Sequence, residues 1–464
     1  MIEGLKPYAD YKEAGLYWLA TVPKHWDMVP NRALMQCRQQ VVGSHASNFT
    51  LLSLTLRGVI ARDMVNPKGK FPAQFNAYQV VKPNDLVFCL FDIDETPRAV
   101  GLSSIGGMIT GAYDIFSPTN LVNSRFLYYY YLFVDEGKLM KPLYRGLRKT
   151  IQRGVFASLK TPLPPPDEQA AIVRFLDHAN RKIGRVIRAK RNLIRLLYEQ
   201  KQAIIHSAVT RGSDADVAFK PSVTPWLVEA PSNWTWMPIK RLLSRMDYGT
   251  SQKSTANGSI RILTMGNIQN GEVVVPRSGG VDYLPHTLLL EHHDLLFTRT
   301  NGNPNLVGKV GIFRGEVSDR ISFASYLVRL RVKQLYDPEW LHLVLNSASF
   351  WPFARSHALV NLQTNLNSTR YGQFAVPVPP LVDQKEIVKL VRKESKPLIT
   401  AITRTEREIA LMQEYHTRLT ADIVTGKLDV REAAARLTDL PANIADESLA
   451  DEAFEQEIEN EAVV

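Results

Sequence analysis

The sequence lacks the features of a disulfide scaffold or a membrane protein. It contains only two cysteines, Cys37 and Cys89, and they match no metal-ligand spacing and no disulfide framework. No apolar run reaches the roughly 20 residues of a transmembrane helix, and the N-terminus has no signal-peptide pattern. These absences predict a cytoplasmic protein that does not bind a membrane.

Signatures of catalysis are missing as well. One stretch faintly resembles a phosphate-binding loop, but five residues separate Gly302 from Gly308 where the motif has four, and Val310 replaces the Ser or Thr that binds magnesium. His292 and His293 have no second pair of metal ligands near them in the sequence. No glycine-rich strand–turn–helix unit indicates a dinucleotide or methyl-donor site. We therefore expect no catalytic residue, no metal site and no cofactor in this chain.

Positive charge is in excess. The chain has 56 Lys and Arg against 46 Asp and Glu, which gives a formal net charge of +10. Such an excess favours an anionic partner, most often nucleic acid, although a merely soluble basic protein has the same balance. The segment from Pro441 onwards has acidic residues and no Lys or Arg. We predict a flexible or partner-binding tail there.

The sequence repeats itself once. The segment 18–26 has its tryptophans and proline at the same spacing as the segment 226–234, a period of roughly 210 residues. A proline stretch followed by Asp-Glu-Gln begins at Pro164, and a similar one followed by Asp-Gln begins at Pro379. The period is far too long for a solenoid, so the chain is predicted to be a domain duplication.

Each copy ends in a long amphipathic pattern. Apolar residues recur in steps of three and four over residues 172–208 and again over 387–423, which is the seam of a helix that pairs with another helix. About 40 residues at about 1.5 Å each make a rod of roughly 60 Å. Pro397 lies within the second pattern and Ser395 could cap a new segment, so we expect a kink or restart there.

Short β-like runs and one helical run precede each long helix. Asp85–Phe88 and Asp294–Phe297 are matching strand candidates, and 338–345 is a helix candidate that matches 124–132. This order predicts a mixed α/β domain in each copy.

The loops between the short strands contain the residue types that recognise duplex DNA. Arg and Lys bind guanine edges and phosphates, and Asn and Gln bind adenine edges. A polar loop precedes the proline stretch in both copies, which favours a function for the loop as a whole, while a solvated loop explains any single residue equally well. The candidate DNA-binding residues of the first copy are Arg57, Arg62, Lys68, Lys70, Arg148, Lys149, Gln152 and Arg153. Those of the second copy are Ser251, Gln252, Lys253, Arg299, Asn301, Gln363, Thr364, Asn365 and Asn367.

With these features the chain resembles the specificity subunit of a type I restriction–modification system, up to about Arg431. The features that carry the resemblance are the duplicated segments Pro162–Gln169 and Val376–Gln384, each leading into a long helix, and the closing Thr425–Leu428. Any one of them is weak, whereas the duplicated set is specific.

The resemblance implies an α/β fold with two mixed α/β target recognition domains, separated by two long helices that form an antiparallel coiled coil with pseudo-two-fold symmetry. Each domain would recognise one half of a bipartite DNA site, and the helices would set the spacer. The implied partners are two methyltransferase subunits, which carry S-adenosylmethionine and methylate adenines, and restriction subunits, which use ATP and magnesium. The predicted segments are an N-terminal arm with the first recognition domain (1–161), the first proline segment and spacer helix (162–212), a linker (213–222), the second recognition domain (223–376), the second proline segment and spacer helix (377–428) and an acidic, flexible tail (429–464). The tail after Arg431 lies outside the resemblance.

Two other classes of function remain open. A coiled-coil scaffold or adaptor without sequence-specific DNA binding would explain the helices, but it gives no reason for two matched domains with Asn, Gln and Arg loops. A self-contained modification enzyme would need the methyl-donor and catalytic motifs that are missing. DNA binding that depends on salt and sequence would exclude the scaffold, and methylation by the purified chain alone would support the enzyme.

Overall fold

The computed structural model describes residues 5–62, 75–145, 149–214, 216–301, 303–360 and 364–437. The strands of the first copy are β1 (Tyr11–Leu16), β2 (Leu19–Pro23), β3 (Asp27–Pro30), β4 (Met35–Arg38), β5 (Leu52–Thr55), β6 (Gly58–Ala61), β7 (Gln79–Val81), β8 (Leu86–Phe88), β9 (Val100–Leu102), β10 (Gly107–Ile109), β11 (Asp114–Pro118) and β12 (Lys160–Leu163). Its α-helices are α1 (Asn31–Leu34), α2 (Ser124–Glu136), α3 (Arg153–Ser158) and α4 (Pro166–Arg211).

The second copy has the same kinds of elements in a similar order. Its strands are β13 (Phe219–Pro221), β14 (Glu229–Pro231), β15 (Thr235–Pro238), β16 (Leu243–Tyr248), β17 (Ile260–Leu263), β18 (Ile268–Gln269), β19 (Glu272–Val273), β20 (Gly280–Val281), β21 (Leu295–Thr298), β22 (Thr300–Asn301), β23 (Val310–Ile312), β24 (Ile321–Phe323), β25 (Leu327–Val332), β26 (Leu359–Val360), β27 (Thr364–Asn365) and β28 (Ala375–Val378). Its α-helices are α5 (Ile239–Leu242), α6 (Pro338–Leu345), α7 (Phe350–Ser356), α8 (Ser368–Gln373) and α9 (Leu381–Val424), and α10 (Arg431–Ala435) follows.

Contacts divide the described residues into two units. One unit contains the residues up to Ala189 together with those from Arg407 onwards, and the other contains Lys190–Glu406. The boundaries fall inside α4 and α9. Each unit therefore combines one globular domain with a part of each long helix.

The central sheets of the two domains have the same strand order. The order is β4-β11-β8-β9 in the first domain and β16-β25-β21-β23 in the second, where β19 and β18 extend the sheet. The registers also match, since Phe88 pairs with Val100 and Phe297 pairs with Val310. Helix α2 packs against β9, and α6 packs against β23. The predicted internal repeat and mixed α/β class are confirmed.

A buried aspartate begins the middle strand of each sheet. Asp85 accepts a hydrogen bond of 2.7 Å from the backbone N–H of Lys82, and Asp294 accepts one of 2.8 Å from that of Glu291. The residue before each aspartate has a left-handed backbone conformation, with φ of 70° in the first domain and 66° in the second. Because the carboxylate closes this tight turn, the repeated Asp-Leu pair aligns β8 and β21 in the same way.

The glutamine of the proline segment fastens each long helix to its domain. Gln169 accepts a hydrogen bond of 2.7 Å from the backbone N–H of Asn123, and Gln384 accepts one of 2.8 Å from that of Asp337. Each glutamine also donates to the carbonyl of the proline five residues earlier, at 2.8 Å. Asn123 and Asp337 are the N-caps of α2 and α6. The duplicated sequence motif thus joins three elements through one buried side chain.

The long helices share an apolar core within each unit. Residues 172–179 of α4 lie in one core with residues 419–423 of α9. Residues 205–209 of α4 lie in another with residues 387–391 of α9. The beginning of each helix therefore lies with the end of the other, so the pair is antiparallel. No helix in the described ranges has both the length and the apolarity needed to cross a bilayer.

Helix α9 continues through Pro397, so the predicted restart is wrong. The Ser395 side chain is buried and, among the described residues, its hydroxyl has no hydrogen-bond partner, so it caps nothing. A proline inside a helix costs about 3 kcal/mol or more. Val391 and Ile402 are buried on either side, and each such side chain contributes about 1.5–3 kcal/mol. Packing of the apolar seam offsets the cost of the proline.

Candidate nucleic-acid interface

Four segments of the second domain meet around the Arg299 side chain. Arg299 follows β21, Tyr248 ends β16, Ser325 lies between β24 and β25, and Asn365 ends β27. The Nε of Arg299 donates to Oδ1 of Asn365 at 3.2 Å, and its Nη1 donates to the carbonyl of Ser325 at 3.4 Å. Its Cζ lies 5.0 Å from the centroid of the Tyr248 ring, a cation–π contact. The guanidinium is therefore held by an amide, a carbonyl and an aromatic face.

Arg299 differs in its charge balance from the half-buried Arg245 and Arg331 and the buried Arg329 of this domain. Each of those three forms an ion pair with at least one carboxylate, whereas half-buried Arg355, like Arg299, has no described carboxylate partner. Arg299 is half-buried, and no carboxylate of the described residues lies within ion-pair distance of it. Taking a charge out of water without a counterion is costly. The site is thus suited to a ligand that offers strong hydrogen-bond acceptors.

The polar residues next to Arg299 hold the loop in place. Strand β22 pairs with β27, so that Thr300 lies opposite Asn365. Asn301 is 5% exposed, and its side-chain oxygen accepts from the backbone N–H of Asn303 at 2.8 Å. Asn367 is exposed and caps α8, accepting from the N–H of Thr369 at 2.8 Å. The side-chain oxygens of Asn301 and Asn367 therefore stabilise the backbone. The side-chain NH2 groups of the same two residues are the hydrogen-bond donors that they can offer to a ligand.

A second polar segment begins at the same end of the domain. The N–H of Ser325 donates to the carbonyl of Thr250 at 2.8 Å. Ser251, Gln252 and Lys253 follow Thr250 directly, and all three are exposed. The chain therefore places a lysine and a glutamine in a loop that starts beside the Arg299 site.

The first domain has no arginine at the position of Arg299. The N–H of Leu366 donates to the carbonyl of Arg299 at 2.8 Å, and in the first domain the N–H of Ile151 donates to the carbonyl of Leu90 at 2.8 Å. Leu90 therefore occupies the equivalent position, and it is buried in the apolar core. The two domains share a backbone but present different side chains at this point.

The matching loop of the first domain carries charges of both signs. The Nζ of Lys149 lies 2.5 Å from Oε1 of Glu95 and 3.5 Å from Oδ2 of Asp94. The hydroxyl of Tyr144 donates to Asp94 at 2.9 Å. This hydrogen bond, with Lys149 and Lys141 nearby, lowers the pKa of Asp94, and the bond to Glu95 raises the pKa of Lys149. At neutral pH the loop is a network of ion pairs.

Gln152 and Arg153 begin helix α3, as Asn367 and Ser368 begin α8. Gln152 is exposed, and its side chain makes no capping hydrogen bond. The Nε of Arg153 donates to Oδ1 of Asp114 at 2.5 Å. Both helices pack an aromatic ring on the central sheet, because Phe156 contacts Phe88 in one domain and Tyr371 stacks on Phe297 in the other. These rings fix the N-terminal ends of α3 and α8 in equivalent places.

The remaining candidates lie around the β5–β6 hairpin of the first domain or outside the described residues of either domain. Arg57 is exposed in the hairpin turn. Arg62 lines a cavity of about 150 Å³ together with Tyr78 and Tyr113. Four candidates lie outside the described residues, and for a fifth only the backbone is described. The four are Lys68, Lys70, Arg148 and Gln363, and the fifth is Thr364.

The sequence interpretation missed the partners of the charged residues. Tyr248 is the last residue of β16, and Ser325 contributes only its backbone carbonyl. No sequence pattern therefore predicts that either residue contacts Arg299. Asp94 and Glu95 stand in a conspicuous Asp-Ile-Asp-Glu loop, which a search limited to Arg, Lys, Asn and Gln passes over. Among the described residues, no group of three or more His, Cys, Asp or Glu side chains is arranged to hold a metal ion.

Comparison with known proteins shows which family the chain resembles. Residues 111–194 match the model of the type I restriction modification DNA specificity domain. The chain is related to the specificity subunits of type I restriction–modification systems. It is 21% identical over 308 residues to the MjaVIII specificity subunit of Methanocaldococcus jannaschii, covering 61% of this chain and 65% of that protein. It is 23% identical over 256 residues to the EcoKI specificity subunit of Escherichia coli K12, covering 52% of each. The matches thus span between half and two thirds of these relatives.

A solved structure supports the fold over most of the chain. The chain of a type I restriction–modification system, from work on its complex assembly and conformational transition, gives a TM-score of 0.59 at 14% identity. The match covers 88% of this chain and 99% of the other. This likeness confirms the predicted class of two mixed α/β domains with two long paired helices.

Proposed function

We propose that this specificity-subunit relative binds DNA in a sequence-specific manner, each domain recognising one half of a bipartite site. The observation that carries the proposal is Arg299, a half-buried guanidinium without a described carboxylate partner, flanked by an amide and an aromatic ring. Arginine and amide side chains in this setting recognise base edges and phosphates. The duplicated architecture supplies a second domain of the same fold, and thus a second candidate recognition surface, on one chain.

The partner subunits perform the chemistry. Two methyltransferase subunits that carry S-adenosylmethionine methylate adenines in the site, and restriction subunits that use ATP and magnesium act through them. This chain contributes recognition and no catalytic group. The internal repeat supports a paired arrangement, because two similar halves offer two similar surfaces to two copies of one partner.

A scaffold without sequence-specific DNA binding is the competing proposal. It explains the paired helices but leaves the half-buried charge of Arg299 without a ligand. DNA binding by neutralised phosphates weakens steeply as salt rises. Steep salt dependence together with preference for one bipartite sequence would exclude the scaffold, and equal weak binding to all sequences would support it.

Deleting the gene is expected to abolish adenine methylation at one bipartite motif in the host genome, because the methyltransferase subunits cannot find their site without this chain. Modified-base sequencing of deletion, wild-type and complemented strains measures the effect. Complementation should restore the same motif. The proposal is wrong if the methyltransferase partner co-purifies with the chain and its methylation motif survives the deletion.

Lengthening both helices is expected to lengthen the spacer and leave both half-site sequences unchanged. The insertions are four residues between Ala189 and Lys190 and four between Glu406 and Arg407, at the boundaries of the two units. Four helical residues add about 6 Å, so a spacer longer by about two base pairs is expected at about 3.4 Å per base pair. The methylation motif is the readout. An insertion in α4 alone is the control, and an altered half-site with an unchanged spacer would refute the idea that the helices set the distance.

A further inference from the structure

The geometry points to Arg299 as the residue that recognises a guanine in the half-site of the second domain, with Tyr248 and Asn365 as positioning residues. The inference rests on the proposed function and deepens it, since it names the base and the domain that binds it. Three observations support it. Contacts fix the guanidinium of Arg299, they leave its Nη1 and Nη2 end available, and the first domain has Leu90 at the equivalent position.

The two residues that hold the guanidinium, Asn365 and Tyr248, are held in place by other parts of the domain. Asn365 belongs to β27, which is paired with β22, and its side-chain oxygen accepts from Nε of Arg299. The hydroxyl of Tyr248 is hydrogen-bonded to the hydroxyl of Ser368 in the first turn of α8. The ring that carries the cation–π contact therefore cannot rotate freely. A side chain held from two elements loses little entropy when it binds, which favours a directional contact.

The contacts leave the end of the arginine fork available. Nε is bound to Asn365, and Nη1 makes a long hydrogen bond of 3.4 Å to Ser325. Among the described residues, no hydrogen bond engages Nη2. Nη2 and the second hydrogen of Nη1 form a pair of parallel donors. Guanine presents the matching pair of acceptors, O6 and N7, in the major groove.

A phosphate contact explains these features less well. A phosphate tolerates a mobile point charge, and Lys253 in the neighbouring exposed loop already offers one. The cation–π contact with Tyr248 and the hydrogen bond to Asn365 restrain the guanidinium, and such restraint matters most when the acceptors lie in a plane. The restraint on the guanidinium therefore favours a contact with a base edge over a contact with a DNA phosphate.

The two half-sites should differ at this position. The equivalent residue of the first domain is Leu90, which is buried and has no donor. The corresponding loop carries Asp94 and Glu95 in place of a lone arginine. A guanine contact of this kind is therefore expected in the half-site of the second domain alone.

The test selects bound sequences from a pool of duplexes randomised in both half-sites, with the full chain in complex with its methyltransferase partner. Arg299→Lys keeps the charge and removes the fork. It is expected to lower the preference for one G·C pair by about 5- to 150-fold, with the first half-site unchanged. That unchanged half-site shows that the complex is folded. Arg261→Lys, an exposed arginine on β17, is the matched control and should leave both half-sites unchanged.

The positioning residues are tested by a conservative pair of variants. Tyr248→Phe keeps the ring but loses the hydroxyl that Ser368 binds, so it should weaken the guanine preference less than Tyr248→Ala, and both should act at the same base pair only. A loss of affinity equal for all sequences in Arg299→Lys would assign a phosphate contact and overturn the inference. A loss confined to an A·T pair would overturn the choice of base. If the wild-type complex shows no bipartite preference, the proposed function itself fails.

Discussion

Arg329→Met is expected to destabilise the second domain by about 3 kcal/mol, the low end of the range for breaking a buried ion pair. Arg329 is 0% exposed in the middle of β25. It donates to the carbonyl of Leu289 at 2.9 Å and to that of Thr287 at 2.9 Å, and it forms an ion pair with Asp247. Methionine fills a similar volume but leaves these acceptors without a donor. Urea unfolding of the full chain, with hydrogen exchange to assign the loss to the second domain, measures the effect.

We expect a loss at the low end of the range for breaking a buried ion pair, because Asp247 keeps a second ion-pair partner in the Arg329→Met variant. Arg245 lies 3.1 Å from the same carboxylate, and the Asp247 side chain is 30% exposed. Arg245→Met is the matched control, since it removes the more exposed partner of the same carboxylate and should cost less than about 1 kcal/mol. Arg329→Met combined with Asp247→Leu should recover part of the loss. Equal losses for Arg329→Met and Arg245→Met would show that burial of Arg329 contributes nothing.

The case of Arg329 shows what sequence periodicity does and does not predict. The alternation in β25 predicts a strand with one polar face that carries Arg329 and Arg331. In the structure β25 has a core on both faces, because Val328 and Leu330 lie in one apolar cluster and Leu327 lies in another. The second cluster includes Leu263 and Leu290, which come well before β25 in the sequence. A local pattern cannot predict that a distant segment will cover the polar face.

The long helices and the proline segments were predictable for the opposite reason. Their signals are local, since the seam recurs every three or four residues and Gln169 and Gln384 each bind a proline carbonyl five residues away. The Arg299 site lies between these cases. Its residue types could be predicted from the loops, but Asn365 is 66 residues from Arg299 in the chain. Only folding brings Arg299 and Asn365 together. The inference that they suit a guanine edge depends on that geometry.

Gly426→Ala is expected to destabilise the first domain and its helices by about 3 kcal/mol, from backbone strain of about 1–2 kcal/mol and overlap of about 1–3 kcal/mol. Gly426 lies two residues after Val424, the last residue of α9, and has a φ of +75°, which favours glycine. A Cβ there would lie 2.2 Å from Cδ of Pro23 and 3.1 Å from the Trp26 ring. The glycine thus permits the segment after the helix to lie against Trp26. Thermal unfolding followed by tryptophan fluorescence measures the loss.

Gly212→Ala provides the matched control, because Gly212 directly follows the last residue of α4 and also has a positive φ. Its φ is +78°, and an added Cβ would meet only the Trp234 ring, at 3.2 Å. This variant should lose about 1–2 kcal/mol from strain alone. Adding Pro23→Ala to Gly426→Ala removes the overlapping Cδ and should bring the loss close to that of Gly212→Ala. If Gly426→Ala and Gly212→Ala lose the same stability from the start, the contact with Pro23 does not constrain this glycine, and the backbone conformation alone explains why glycine ends both helices.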